Sequence, residues 1–298
     1  MPEKDIKSIV TQDIAPRVSE FRRFQRVFFS RGLVVFGMVV ILVFVVFAIF
    51  APLLAPYDPY MPDLKARLSQ PNLAHFLGTD SLGRDTLSRI IYGTRTTLMI
   101  GLIVVGIAAI IGMSLGMIAG YLGGWLYTII MRSIDVLMTF PMILLALIIA
   151  AMLGEGIRNV IIALTVGLVP VYVRLMCGQV LTLKENEYIL AEKTIGANSL
   201  RIMIRHLIPN ALPTLIVVMT MMLGTTVLAE AGLSFLGIGI EPPTPTWGSM
   251  VNDGREYLLT HPILSFAPGL AIMLLVFAFN MVGDGLRDAL DPRLRGLL

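Results

Sequence analysis

Charged residues are scarce in this chain of 298 residues: Asp, Glu, Lys and Arg together make up 14% of it, against 56% for hydrophobic residues. The mean hydropathy is +0.82. A soluble domain needs more polar side chains than this to cover its surface, so the composition excludes a soluble globular protein. We interpret the chain as an integral membrane protein.

Other absences exclude particular chemistries. The chain has a single cysteine, Cys177, which excludes an intrachain disulfide and indicates a small packing residue. The three histidines at positions 75, 206 and 261 are too scattered for a recognisable metal site. No G-x-x-x-x-G-K-[ST] motif occurs, so we expect no ATP site, and no cofactor is expected in this chain. No H-E-x-x-H motif occurs, which disfavours a membrane-bound peptidase.

Long apolar runs are what the chain does contain. A bilayer core about 30 Å thick needs about 20 apolar residues per helix. Six such runs predict an all-α bundle of six transmembrane helices: residues 32–55, 97–121, 133–153, 159–181, 211–235 and 264–286. The first run is longer than the ~7–15 apolar residues of a signal peptide, so we expect it to be retained as a span.

The distribution of basic residues predicts the orientation. If the N-terminus is cytoplasmic, 16 of the 23 Lys and Arg side chains belong to cytoplasmic segments or to the cytoplasmic halves of spans, and 7 to the other side. We therefore expect both termini in the cytoplasm. The net charge of +3 is explained by this topology and does not indicate binding to nucleic acid. The predicted segments are a cytoplasmic arm 1–31, the first span, an extracytoplasmic loop 56–96, a five-helix core 97–286 with a cytoplasmic loop 182–210, and a cytoplasmic tail 287–298.

Within the spans, two patterns predict local structure. Gly112, Gly116 and Gly120 recur every fourth residue, which favours close packing of one helix face against a neighbouring helix. Pro141 lies inside the third run, where the missing N–H should kink the helix.

Several polar or amphipathic side chains have more than one interpretation. Arg132 and Asp135 are spaced to pair on one helix face, and Asp284 is spaced to pair with Arg287. A carboxylate in lipid is costly, so Glu230 should face the bundle or a water-filled path; it is the candidate for the substrate path, and a structural hydrogen bond is the alternative. Trp247 is interpreted as an interface anchor.

The loop 182–210 has an unusual pattern. Tyr188, Ala191 and Ile195 recur at helical spacing and Gly196 follows, where a helix favours a left-handed residue. Asn198 or Ser199 can cap a second helix with Leu200, Met203, Ile204 and Leu207 on one face, and Pro209 is expected to end that helix. Such short amphipathic helices suit either the lipid headgroup layer or a groove on a cytoplasmic partner.

A resemblance favours the partner. Ala191, Gly196 and Pro209 match the spacing of the EAA loop of ABC importer permeases, E-A-A-x3-G-x9-I-x-L-P, through which these subunits engage their ATPases. Leu190, Glu192, His206 and Ile208 stand where that pattern has Glu, Ala, Ile and Leu, and Glu187 or Glu192 is the candidate for the missing carboxylate. The resemblance implies contacts with the ATPase from these residues: Glu187, Ala191, Glu192, Gly196, Ala197, Arg205, His206 and Pro209.

Further stretches narrow the resemblance. Residues 76–98, 229–248 and 280–296 resemble the C-type permease subunit of dipeptide, oligopeptide and nickel ABC importers. This resemblance implies a type I importer permease fold, a heterodimer with a B-type permease, two cytoplasmic ATPases and an extracytoplasmic substrate-binding protein. Import of short peptides is the expected function, with nickel or another small solute as the alternative cargo. An ion-coupled secondary transporter is disfavoured because the deep parts of the spans carry few charges.

Overall fold

The computed structural model describes residues 20–290, so residues 1–19 of the predicted arm and 291–298 of the predicted tail lie outside the described residues. Within 20–290 the chain is helical, with one isolated β-bridge between Thr79 and Asp85. The α-helices are α1 Glu20–Phe28, α2 Gly32–Ile49, α3 Ala51–Leu54, α4 Thr86–Leu122, α5 Gly124–Met138, α6 Met142–Leu153, α7 Ile157–Leu183, α8 Glu187–Thr194, α9 Ser199–Ile202, α10 Ile208–Phe235, α11 Trp247–Gly254 and α12 Ile263–Leu290.

The six predicted spans correspond to these helices. Among residues 20–290, five helical stretches are long and apolar enough to cross a bilayer: α2, α4, α7, the continuous stretch Ser199–Phe235, and α12. The pair α5 and α6 supplies the sixth when counted as one span. The all-α membrane architecture is thus confirmed.

Pro141 has a larger effect than the predicted kink. Helix α5 ends at Met138, α6 begins at Met142, and the two are bent by 87°. Proline lacks the N–H needed for the helical ladder and disfavours helical dihedrals in the preceding residue, here Phe140. The third span is therefore two helices that meet nearly at a right angle.

The glycine face of α4 packs directly against α7. A Cβ added at Gly116 would lie 2.5 Å from the carbonyl oxygen of Val173 and 2.8 Å from the Cβ of Met176. One added at Gly120 would lie 2.9 Å from the Cβ of Val180. The predicted close packing is confirmed, and Cys177 is buried in the same contact.

Trp247 is buried in the core, which differs from the expectation drawn from the sequence. Its side chain is fully buried, the indole Nε1 donates a hydrogen bond of 3.0 Å to the carbonyl oxygen of Ile90, and the ring packs on Phe44. Gly93 leaves the space for it, since a Cβ there would lie 2.9 Å from the indole ring. Trp247 is thus a core residue that joins α11 to α4, and the interface-anchor interpretation was wrong.

The helix ends also differ in detail from the sequence pattern. Helix α4 begins at Thr86, so the last part of segment 56–96 is helical, and its N-cap Asp85 accepts from the amide of Ser88 at 2.8 Å. Helix α12 continues to Leu290, and Asp288 pairs with Arg31 at 2.7 Å. The predicted pair between Asp284 and Arg287 is absent from the ion pairs of residues 20–290.

Candidate functional site

The candidate site is the segment between α7 and α10, which we call the coupling loop, residues 182–210. Helix α8 ends in a left-handed glycine: Gly196 has φ +82°. The amide of Ala197 donates to the carbonyl oxygen of Glu192, and that of Gly196 donates to Lys193, both at 3.0 Å. This is the Schellman arrangement, which satisfies the last carbonyl groups of a helix and requires the positive φ that glycine adopts without strain.

Helix α9 begins as the sequence predicts. The side chain of Asn198 accepts a hydrogen bond of 3.0 Å from the amide of Leu200, which makes Asn198 the N-cap. Only Ile195, Gly196 and Ala197 therefore separate the end of α8 from the N-cap of α9. Because both ends of this turn are hydrogen-bonded, α8 and α9 form one compact unit.

The faces of these helices are oriented differently from the sequence prediction. Ile189, Ile202 and Leu207 are fully buried and belong to the main hydrophobic core formed with α4, α7 and α10. The residues that the helical spacing grouped as apolar faces mostly point outward, and Ile195 is 79% exposed. Six large apolar residues of the loop are exposed, and together we call them the outer stripe: Tyr188, Leu190, Ile195, Leu200, Ile204 and Ile208.

Pro209 does not end the second helix, which corrects the sequence interpretation. The chain passes from α9 through a π-helical turn, Met203–Leu207, directly into α10, with Pro209 in the first turn of α10. Proline has no N–H to donate and its ring crowds the carbonyl four residues earlier. The wider π-turn accommodates both effects, and the Asn210 side chain donates to the carbonyl oxygen of His206 at 2.7 Å.

The other residues predicted to contact the ATPase differ in their exposure and in their contacts within the loop. His206 Nε2 lies 3.4 Å from Glu192 Oε1 without hydrogen-bond geometry, which places an imidazole–carboxylate contact across the turn. Glu187 lies exposed in the first turn of α8, where a carboxylate is favourable to the helix dipole. Ala191 and Arg205 are also exposed, whereas Ala197 packs against the core.

Two lysines join the coupling loop to the end of α4. Lys193 Nζ lies 5.6 Å from the ring centroid of Tyr121, and Lys184 Nζ donates to the carbonyl oxygen of Gly120 at 3.2 Å. These contacts connect α8 and the segment before it to the C-terminal end of α4.

Glu230, the candidate for the substrate path, is enclosed by the chain. It is 1% exposed, and its Oε1 accepts a hydrogen bond of 2.8 Å from the Ser234 hydroxyl. Its Oε2 has no hydrogen-bond partner among the described residues. Close beside Ser234, a Cβ added at Gly248 would lie 2.8 Å from the serine Cβ, so the start of α11 packs on this turn of α10. This geometry fits the alternative of a structural hydrogen bond, and a role in the path stays a prediction.

An ion pair that the sequence pattern did not predict joins two spans. Asp135 Oδ1 on α5 accepts from Arg174 NH2 on α7 at 2.7 Å, whereas the predicted partner Arg132 makes no ion pair within the described part of the chain. The residues are 39 apart in sequence. Helical spacing reports only pairs on the same helix, so no local signal identified Arg174 as the partner.

The chain contains the letters of the G-x-S-x-G motif of serine hydrolases, but the structure at these residues excludes a serine nucleophile. Residues 112–116 read Gly-Met-Ser-Leu-Gly, which matches the letters G-x-S-x-G. That motif requires a sharp strand-to-helix turn that exposes the serine. Ser114 instead lies in the middle of α4 and donates to the carbonyl oxygen of Ile110 at 2.7 Å. It is therefore not a nucleophile of the hydrolase type.

Comparisons with known proteins agree with this architecture. The family model "Binding-protein-dependent transport system inner membrane component" matches residues 112–296, and "N-terminal TM domain of oligopeptide transport permease C" matches residues 19–72. The glutathione transport system permease protein GsiD of Pectobacterium atrosepticum is 42% identical, over 92% of each chain. The dipeptide transport system permease protein DppC of Alkalihalophilus pseudofirmus is 41% identical, over 95% of this chain and 93% of its own length.

A solved structure shares the fold. A chain of the MetNI methionine ABC transporter, in an inward-facing conformation, aligns with a TM-score of 0.53 and 22% identity, over 67% of this chain and 96% of the other. At that identity the likeness supports the fold, while the matches to sequence families support the relationship. The chain belongs to the family of binding-protein-dependent transport system inner membrane components, the permease subunits of ABC importers.

Proposed function

We propose that this chain is a permease subunit of an ATP-driven importer of short peptides, in which it forms half of the passage through the cell membrane. Two of its relatives are named as dipeptide and glutathione permeases, and both substrates are short peptides. The other half of the passage would come from a B-type permease chain. An extracytoplasmic binding protein would deliver the peptide.

The observation that carries this proposal is the geometry of the coupling loop. Three fully buried side chains, Ile189, Ile202 and Leu207, fix the loop to the helix bundle while the outer stripe remains uncovered. An exposed apolar surface on a stiff support is suited to a partner groove, and it transmits a rigid displacement, which a flexible linker would absorb. We infer that the outer stripe docks into one of two cytoplasmic ATPases, and that the second permease chain of the heterodimer binds the other.

ATP hydrolysis is assigned to those partners, so the chain itself is proposed to be non-enzymatic. A ligand shifts a two-state equilibrium only by its differential affinity for the two states. ATP bound on the partner subunits would supply that difference, and the coupling loop would pass it to α7 and α10. The proposal places both termini and the coupling loop in the cytoplasm, in agreement with the distribution of basic residues.

Reconstitution into liposomes tests the function. The chain alone should move no labelled dipeptide with or without ATP, whereas the chain with its second permease, ATPases and binding protein should accumulate the dipeptide when ATP is supplied. Replacement of residues 190–207 by a Gly/Ser linker in that complete set should abolish uptake. Uptake driven by the chain alone, or uptake that survives the linker replacement, would contradict the proposal.

A further inference from the structure

A polar cleft lies between α5 and α7. It has a volume of about 470 Å³. Its centre is the ion pair between Asp135 and Arg174, whose side chains are 44% and 52% exposed. The lining residues are Tyr127, Thr128, Met131, Arg132, Asp135 and Arg174.

With α7 centred on the bilayer, the ion pair lies within the hydrocarbon layer, where contact between a charged group and lipid tails is costly. Helix α7 has 27 residues, about 40 Å at 1.5 Å per residue, which exceeds a hydrocarbon core of about 30 Å. Arg174 precedes the last residue of α7, Leu183, by about 14 Å along the axis. With the helix centred on the bilayer, the pair lies about 9 Å inside the hydrocarbon boundary.

Charged groups at this depth must face water or protein, because contact with hydrocarbon is costly. The guanidinium group of Arg174 is held by the short side chain of Asp135 at 2.7 Å. The headgroup of a lipid lies near the bilayer surface, about 9 Å from this pair, and so is poorly placed to reach it. The exposed half of the cleft is therefore expected to face water or a partner subunit.

The charges of the cleft favour an anion. Asp135 neutralises Arg174, and Arg132, which is exposed on the same cleft, makes no ion pair within residues 20–290. The cleft thus carries one excess positive charge. Guanidinium groups bind carboxylates through paired, charge-assisted hydrogen bonds, and the hydroxyl group of Tyr127 supplies a further donor.

We propose that this cleft is a point on the substrate passage where the carboxylate of a transported peptide binds to Arg132, with the Asp135–Arg174 pair holding the cleft open and hydrated. The inference rests on the proposed function for its substrate, a molecule with a free carboxylate. It assigns Arg132 as a residue that favours substrates bearing that group.

Uptake of a matched pair of substrates tests the assignment. In the complete reconstituted importer, Arg132→Gln should lower the uptake of a dipeptide at subsaturating concentration by roughly tenfold, the loss of about one charge-assisted hydrogen bond. Uptake of the same dipeptide as its C-terminal amide should change much less, so that any preference of the binding protein cancels in the comparison. Arg132→Lys should retain most of the discrimination, because it keeps the positive charge.

Arg26→Gln is the matched control, since Arg26 is also an exposed arginine but lies in α1, outside the spans. It should leave the uptake of both substrates unchanged. An equal loss for the dipeptide and its amide in Arg132→Gln, or no loss for either, would overturn the assignment of Arg132.

A second experiment does not depend on peptide transport. Thr128→Cys in the complete complex should react with small water-soluble thiol reagents, and faster with an anionic reagent than with a cationic one of the same size. The ratio of the two rates should fall when Arg132→Gln is added. The unaltered chain reports any reaction of the buried Cys177. An unreactive thiol both without nucleotide and with ATP would mean that lipid or a partner subunit covers the cleft, and would overturn the proposal.

The two experiments separate this inference from the proposed function. If the complete complex moves no peptide but Thr128→Cys shows the charge-dependent reaction, peptide import is wrong while the hydrated, anion-favouring cleft is supported. If peptide is transported normally and the thiol is unreactive, the cleft assignment alone is wrong.

Discussion

At the scale of single residues, the glycines of α4 are defined by what lies against them. A Cβ at Gly116 would meet the backbone of Val173 at 2.5 Å, whereas a Cβ at Gly106 in the same helix would meet nothing within 4 Å. The same change of one methyl group is therefore expected to have opposite effects at the two positions.

We predict that Gly116→Ala destabilises the protein by about 1–3 kcal/mol, the usual effect of overpacking. Gly106→Ala should be neutral or slightly stabilising, because alanine favours a helix interior over glycine by about 0.5–1 kcal/mol. Thermal unfolding of the purified protein in detergent measures both. Equal melting temperatures for the two variants would show that the α4–α7 contact is looser than the structure indicates.

Two substitutions at Glu230 test its hydrogen bond with Ser234 separately from its ionisable carboxyl group. In Glu230→Gln the amide oxygen can still accept from Ser234 and the buried charge is removed. We expect this variant to be at least as stable as the unaltered protein and to support uptake. Glu230→Ala should lower stability by about 1–3 kcal/mol, since the buried Ser234 hydroxyl loses its acceptor.

Unfolding and uptake measurements on the same preparations distinguish the two interpretations of Glu230. A folded Glu230→Gln protein without uptake would contradict a purely structural role and would favour a place on the substrate path.

At the scale of elements, the turn between α8 and α9 contains Gly196, which can be substituted without a steric clash with neighbouring residues. Gly196 has φ +82°, and a Cβ there would meet nothing within 4 Å. A substitution at Gly196 therefore acts through backbone conformation alone. Asparagine tolerates the left-handed region far better than a β-branched residue does.

We predict that Gly196→Val impairs ATPase binding and uptake while the protein still inserts in the membrane, and that Gly196→Asn retains most of both. Co-purification of the ATPases in mild detergent and dipeptide uptake are the measurements. If valine at this position leaves both unchanged, the coupling loop does not need its rigid turn and the docking proposal fails.

The outer stripe allows a second test at this scale. Ile204→Asp places a charge in the exposed apolar surface. If Ile204 lies at the centre of the contact, this variant should weaken ATPase binding by about 2 kcal/mol or more, the effect of losing an interface hot spot. Leu259→Asp is the control, because Leu259 is fully exposed at the other end of the bundle. Titration of the ATPase onto the permease pair measures both, and similar affinities for the two variants would exclude the stripe as the docking surface.

At the scale of the whole molecule, the proposed orientation remains to be measured. Ile195 on the coupling loop and Leu259 between α11 and α12 are exposed positions suitable for introduced cysteines. In intact cells, a membrane-impermeant thiol reagent should label Leu259→Cys and not Ile195→Cys, and both should react after the cells are opened. Labelling of Ile195→Cys alone in intact cells would reverse the topology.

Much of the coupling loop was predictable because its signals are local. The left-handed Gly196 and the Asn198 cap each depend on the conformation of a few adjacent residues, which the amino-acid types specify directly. The continuation of the helix through Pro209 was not predictable, because it depends on a π-turn whose buried Leu207 is held by the core. The exposed face of the loop was likewise decided by which neighbours cover it.

The sequence by itself determined the membrane class, the six apolar runs and the small-residue face of α4, since each follows from the bilayer thickness or from the space that a side chain occupies. Only the tertiary structure decided that Asp135 pairs with Arg174, that Asp288 pairs with Arg31, and that Trp247 is buried against α4. The physical reason is that lipid, the protein core and a partner groove are all apolar. Hydropathy therefore locates a span, but only packing between distant segments selects the neighbour that each side chain meets.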